Sequence, residues 1–233
     1  MARPGHDELM DNLDRTPLPA RLGAEFLGTL LLVTAVVGSG IMAQRLTQDA
    51  GLALLANTLA TAAILVVLVS IFAPVSGAHF NPAVSLVFAV RRELPVSELG
   101  LYVGAQLIGG IAGTALAHLM FDLAPLVSGV QARTGPSQWL AEAVATFALV
   151  LAILGGIRFR PDAVPWLVGL TIASAYWFTA STSFANPAVT LARGFTATFS
   201  GIALTDVPAF VVAQIAGALI AAAVAGLLFA ARR

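Results

Sequence analysis

Two copies of the tripeptide Asn-Pro-Ala stand out in this chain, at Asn81, Pro82, Ala83 and at Asn186, Pro187, Ala188, each followed by Val. An Asn before a helix can cap it or turn its amide N–H groups toward a cavity, and Pro suits the first helical turn, where its missing N–H costs nothing. The chemistry available is hydrogen-bond donation, not bond making. Two glutamates, Glu25 and Glu142, lie well inside long apolar runs. An acid at that depth costs about 2.5–3.5 kcal/mol on insertion scales, so each needs a partner and a role. Two roles compete: holding nearby loops, or relaying protons in a coupled transporter. A relay needs further titratable groups along its path, and only His79 offers one. No nucleophile–base pair or cofactor motif is visible, so no enzymatic function and no cofactor are expected. Three scattered histidines make no metal site, and without Cys there is neither a disulfide framework nor a thiolate.

The elements that must carry these residues are apolar. Of the 233 residues, 58% are hydrophobic and 10% charged. A soluble domain carries roughly 25% charged residues, so the solvent here is the lipid bilayer. The zero net charge implies no nucleic-acid partner. Apolar runs near 22–42, 52–72, 97–121, 138–158, 165–181 and 206–230 predict six membrane-spanning helices. Two further segments, 82–90 and 187–197, each open on Asn-Pro-Ala and are too short to cross. The fold class expected is therefore an all-α membrane protein with six transmembrane helices and two re-entrant half-helices.

The halves repeat. LGAEFLGTLLLV at 22–33 matches WLAEAVATFALV at 139–150, HFNPAVSL at 79–86 matches FANPAVTL at 184–191, and YVGAQLIGGIAG at 102–113 matches FVVAQIAGALIA at 210–221. These matches align Glu25 with Glu142, Asn81 with Asn186 and Gln106 with Gln214. Three spans per half is odd, so the repeat is inverted and the two short segments enter from opposite faces to meet near the midplane. The expected organisation is a cytoplasmic tail over 1–20, a first half over 21–121, an extracellular connection over 122–137 and a second half over 138–233. Arginine placement orients the chain. With the N-terminus cytoplasmic, Arg3, Arg15, Arg21, Arg91, Arg92, Arg158, Arg160, Arg232 and Arg233 lie inside, against Arg45 and Arg133 outside. Small residues every four positions (Ala105, Gly109, Gly113 and Ala213, Gly217, Ala221) predict close helix contact in lipid.

SGAHFNPAV at 76–84 and NPAVTLAR at 186–193, with Glu25, Glu142, Gln106 and Gln214, resemble the major intrinsic protein (aquaporin) family over residues 21 to 230. The resemblance implies a passive channel for water and small uncharged solutes, a homotetramer with one pore per subunit, and a cell-membrane location. It implies that carbonyls of Gly77, Ala78 and His79, and of Thr182, Ser183 and Phe184, form acceptor ladders, and that the glutamates hold the re-entrant loops. Selectivity would come from pore width, lining hydrogen-bond groups and half-helix dipoles. Water-selective relatives place an Arg directly after the second motif, where this chain has Val189. Ungapped counting puts the other filter positions at Thr61, Ser174 and Ser183, a small uncharged set that implies a wide pore. A one-residue shift would instead make Phe184 the filter aromatic. Arg193, on the Val189 face, is expected either to set the charge of the outer vestibule or to pair at the surface with an acid such as Asp206. His79 is either a gate or a packed loop residue, and His118 a satisfied histidine. The lack of the filter Arg resembles the bacterial branch found with arsenic-resistance genes, which implies conduction of glycerol and of metalloid hydroxides such as arsenite. The alternatives are a coupled secondary transporter, a strictly water-selective channel and a non-conducting scaffold.

Overall fold

The computed structural model describes residues 16–229. The first fifteen residues of the expected tail, with Arg3 and Arg15, and also Arg232 and Arg233, lie outside that range. The elements are helices: α1 (Leu18–Leu46), α2 (Ala50–Ser76), α3 (Pro82–Val90), α4 (Val96–Met120), α5 (Pro136–Phe159), α6 (Val164–Phe178), α7 (Pro187–Arg193) and α8 (Val207–Leu228). Single 3-10 turns lead into α6 and α8. This is the all-α membrane architecture the apolar runs imply. Five helices among the described residues are long and apolar enough to cross a bilayer. The remaining run is shorter than expected. Helix α6 ends at Phe178, and residues 179–181 belong to the descending loop. The second short segment likewise stops at Arg193, not at 197.

The inverted repeat is built into the packing. Helix α1 lies along α4 as α5 lies along α8, and α1 meets α2 as α5 meets α6. Each half-helix is wedged between long helices of both halves: α3 against α4 and α8, α7 against α8 and α4. Close approach depends on glycine at two equivalent places. A Cβ on Gly109 would stand 2.4 Å from the Phe26 carbonyl oxygen, and one on Gly217 2.1 Å from that of Ala143. Only a residue without a Cβ lets those backbones touch. The outward faces carry exposed Leu27, Leu59, Ile108, Trp166, Leu170 and Val212, as a lipid-facing surface requires.

The face where α1 begins is called the proximal face, and the one where it ends the distal face. At the proximal face Arg21 makes a two-pronged ion pair with Glu98, 2.7 and 2.9 Å. At the distal face the long connection, residues 122–135, folds back over the segment after α7. Val127 N–H donates to Phe195, Gly129 N–H to Gly194, and Ala203 N–H to Gln131.

Candidate channel and its constriction

Each half-helix starts at its Asn-Pro-Ala because both residues specify an N-terminus. Asn81 and Asn186 hold extended backbone at the N-cap, and Pro82 and Pro187 take the first turn. The Asn81 side-chain oxygen accepts from Ala83 N–H at 2.9 Å; that of Asn186 accepts from Ala188 N–H and Val189 N–H. The amide ends then cross the molecule. Asn81 Nδ2 donates to the Ala185 carbonyl and Asn186 Nδ2 to the Phe80 carbonyl, both at 2.8 Å. Each amide keeps a second N–H that neither bond uses.

The loops that deliver these caps run through left-handed backbone at matched positions. Gly77, Ala78 and Phe80 have φ of 86°, 51° and 49°; Thr182, Ser183 and Ala185, their equivalents, have 59°, 48° and 48°. Non-glycine residues in that region cost on the order of 1–3 kcal/mol each and persist only where surroundings over-determine them. The glutamates supply that. Glu25 accepts from Ser76 Oγ, His79 N–H, Phe80 N–H and Gln106 Nε2, all within 2.9 Å. Glu142 accepts from Phe184 N–H, Ala185 N–H and Gln214 Nε2. The glutamines are tied in turn: Gln106 to Ser85 Oγ, Gln214 to Thr190 Oγ1. Both acids are fully buried and committed to loop backbone, an arrangement that supports a structural role over proton relay.

A cavity of about 400 Å³ runs past these motifs. At its proximal end it is lined by Arg21, Glu93 and Asp162, then by His79, Asn81 and Asn186, and at its distal end by Thr61, Tyr176 and Arg193. Its walls are residues four apart on single helix faces: Thr61, Leu65, Val69 and Ala73 on α2, and Val164, Val168, Ile172 and Tyr176 on α6. A period of 3.6 brings every fourth residue back to one face.

That same period corrects one expectation. Ser174 does not line the cavity: two residues from Tyr176 is about 200° of turn, so it faces outward, exposed, its hydroxyl returned to the Thr171 carbonyl. Tyr176 and Ile172 stand where it was expected. Tyr176 is buried and its hydroxyl donates to Thr61 Oγ1 at 3.3 Å. Thr61, Ser183 and Val189 do line the cavity, and so does Phe184, so both registers weighed for the filter place a residue on its wall. Of the six expected carbonyl residues, Gly77, Ala78, His79, Ser183 and Phe184 border it and Thr182 does not. His79 is bonded and packed: Nδ1 is 3.1 Å from Ser85 Oγ, with its ring against Phe88 and Tyr102. His118 is satisfied by the Ala124 carbonyl and Thr196 Oγ1.

Arg193 makes no surface pair with Asp206. It is 2% exposed, lies over the Phe184 ring with Cζ 3.3 Å from the centroid, and donates through Nε to the Ser200 carbonyl. Asp206 instead accepts from the backbone N–H of Arg133 at 2.8 Å. The Arg133 side chain reaches in from the connecting loop, bonding the Gly201 carbonyl at 2.9 Å and the Ser181 carbonyl at 3.3 Å, with Cζ 5.1 Å from the Phe184 centroid. Burial pushes its guanidinium below the usual value, with the fields of Glu142 and Tyr176 opposing that. Tyr176 and Arg133 are the lining and mouth residues that sequence reasoning missed. The signals were slight: a lone Tyr in the fifth apolar run, and an arginine in the connection between the halves.

Two half-helices meeting end to end at capped asparagines, beside one cavity, define a pore-forming membrane protein built on an inverted repeat. The chain belongs to the major intrinsic protein family, whose model matches residues 15–158. It is 66% identical over 206 residues to the aquaglyceroporin AqpS of Rhizobium meliloti strain 1021, covering 88% of each chain. It is 30% identical to aquaporin Z of Brucella melitensis, over 87% of this chain and 94% of that one. The fold resembles the X-ray structure of the aquaglyceroporin from Plasmodium falciparum, with TM-score 0.64 at 21% identity over 89% of this chain and 95% of the other.

Proposed function

We propose that this chain is a passive aquaglyceroporin-type channel conducting water, glycerol and neutral metalloid hydroxides such as arsenite. The observation that carries this reading is the cavity passing the side-chain amides of Asn81 and Asn186, each held by a cross-bond and each with an N–H to spare. A solute oxygen takes that hydrogen bond where the positive ends of two half-helices meet, each equivalent to roughly half a charge. A cation meets the same field and loses its hydration, so neutral solutes are preferred. The apolar stripes of α2 and α6 add little drag, and loop carbonyls accept from the solute along the way. The 66% identity to a protein named aquaglyceroporin favours polyol conduction. The same reading has the chain as a homotetramer in the cell membrane with both termini cytoplasmic, the proximal face inside.

A strictly water-selective channel is the second reading. Tyr176, Phe184 and Arg193 at the distal end favour it, because that set is bulkier than the small filter the spacing implied. Stopped-flow measurements on one proteoliposome preparation separate the readings. Water, glycerol and arsenite fluxes above those of protein-free vesicles are expected. Water flux alone supports the second reading. Saturable accumulation against a gradient would make the chain a coupled transporter, and no flux of any kind a scaffold.

A further inference from the structure

A second hollow lies on the outer surface, away from the pore. This groove of about 430 Å³ follows α1 between α2 and the end of α4. Ala35, Gly38 and Ala60 are recessed in it, while Leu31, Met42 and Met120 stand exposed along it. Its polar groups are already satisfied. The Thr34 hydroxyl is held by the Leu30 and Gly113 carbonyls, and Ser39 Oγ donates to the Ala35 carbonyl and accepts from Asn57 Nδ2. Nothing in the groove calls for water, so the occupant it suits is hydrocarbon.

The groove has the depth of one leaflet. Leu31 stands near the middle of α1. From Leu31 to Met42 the helix rises about 16 Å, close to the roughly 15 Å of hydrocarbon in half a bilayer. Arg45, one turn further, is about 21 Å from Leu31, which is headgroup depth. There the chemistry changes. Arg45 Nη2 donates to the Phe121 carbonyl at 2.6 Å, and its Cζ lies 5.0 Å from the centroid of the Phe121 ring, which lines the groove. The side chain is exposed and makes no ion pair among the described residues, so its guanidinium keeps N–H donors for an anion. A second copy of the chain would have to answer Arg45 with a carboxylate. The exposed or half-buried acids on the distal side are Asp49 and Asp122, which adjoin this same corner, and Asp206, which already holds Arg133 N–H.

We infer that this groove is a phospholipid site of the distal leaflet, one acyl chain lying along α1 and the phosphate resting on Arg45. Met42 and Met120 at its edge are flexible side chains that follow the shape of a bound chain. Gln44, beside Arg45, accepts from Phe199 N–H of the segment after α7, so the lipid steadies the corner on which that segment rests.

Because the chain has no Cys, one thiol can report what fills the groove. Full-length protein carrying Met42→Cys labelled with bimane is placed in phosphatidylcholine vesicles. A small fraction of lipid brominated on its acyl chains is added, either phosphatidylcholine or diacylglycerol, which lacks the phosphate. Bimane on Val212→Cys, exposed on the lipid-facing side of α8, gives the ratio for ordinary contact with the bilayer. At Met42 the phospholipid should quench more than diacylglycerol by about fivefold over that ratio. Arg45→Gln should remove the excess. Gly38→Leu should remove it too, by filling the groove; a Cβ there meets the Phe121 ring at an ordinary 3.6 Å. None of these four positions lines the pore, so water flux above that of protein-free vesicles verifies that each variant has inserted. Equal ratios at the two labels overturn the inference, and so does an excess that survives Arg45→Gln. Quenching at Val212 but none at Met42 would mean that a second copy covers the groove, which also overturns it. If Arg45→Gln fails to insert, Gly38→Leu decides by the same criteria. Loss of water flux in the unmodified protein would bear on the channel reading, not on this site, because quenching is read without flux.

Discussion

Asn81 and Ala185, 104 positions apart in sequence, are joined by a 2.8 Å hydrogen bond from the side-chain amide to the carbonyl oxygen. The bond from Asn186 to Phe80 repeats it with the halves exchanged. Each half-helix is thus fastened to the loop of the other, and the meeting point of the two positive helix ends is rigid. The stretch of cavity beside the two asparagines is thus walled by a joint between the halves.

Replacing Asn186 by Asp tests that joint. The variant loses the donor to the Phe80 carbonyl and sets a negative charge against that oxygen, at a cost on the order of 1–3 kcal/mol. The charge also offsets the field of both half-helices. Proton or sodium leak into vesicles should rise, with a lowered thermal midpoint in detergent. A folded variant with no added leak would remove Asn186 from the pore lining.

Mercurials address the filter register. The chain has no Cys, so mercury should leave its water flux unchanged. Ser183→Cys should make that flux mercury-sensitive, because Ser183 lines the cavity with a hydroxyl bonded to nothing. Persistent insensitivity would shift the constriction to Phe184.

Glu142→Gln separates support from relay. Its carboxylate holds Phe184 N–H, Ala185 N–H and Gln214, and an amide would turn a donor toward at least one of them. Leaving a buried donor unsatisfied costs about 1–3 kcal/mol, so the variant should unfold at lower temperature. Its solute flux per folded protein should keep the pH dependence of the parent. Loss of a pH-driven component alone, with stability intact, would point to proton coupling.

Gly217→Ala should loosen the pairing of α5 and α8. The new Cβ would lie 2.1 Å from the Ala143 carbonyl oxygen, too close without helix separation. A loss of about 1–3 kcal/mol is expected, read as a lower thermal midpoint. An unaltered midpoint would mean that the two helices are not packed this closely.

Val189→Arg tests width. Val189 is buried on the cavity wall, and a guanidinium there adds bulk and five donors one turn below Arg193. Glycerol and arsenite flux should fall about tenfold or more while water flux is largely kept, measured at matched protein density. An unchanged ratio would show that Val189 does not set the width.

Much of this molecule was legible in the chain because membranes impose strict local rules. Apolar length reports a span, and a buried acid reports a partner. Two motifs in an inverted repeat report a meeting point, and Glu25, Gln106 and Asn81 could be matched to Glu142, Gln214 and Asn186 before any fold was known. What the chain alone left open was decided by facing and by reach. Ser174 and Tyr176 are two residues apart in one apolar run, and only the rotation of α6 about its axis, set by its neighbours, turns Tyr176 to the cavity and Ser174 away. Arg193 could equally have met Asp206 at the surface; it stacks on Phe184 because the segment after α7 folds back and buries it. Arg133 reaches the same ring through a loop with no periodicity to read. Repeats and hydropathy are properties of neighbours along the chain, whereas at the distal end Arg133 meets the ring of Phe184, 51 positions away, a contact that only packing creates.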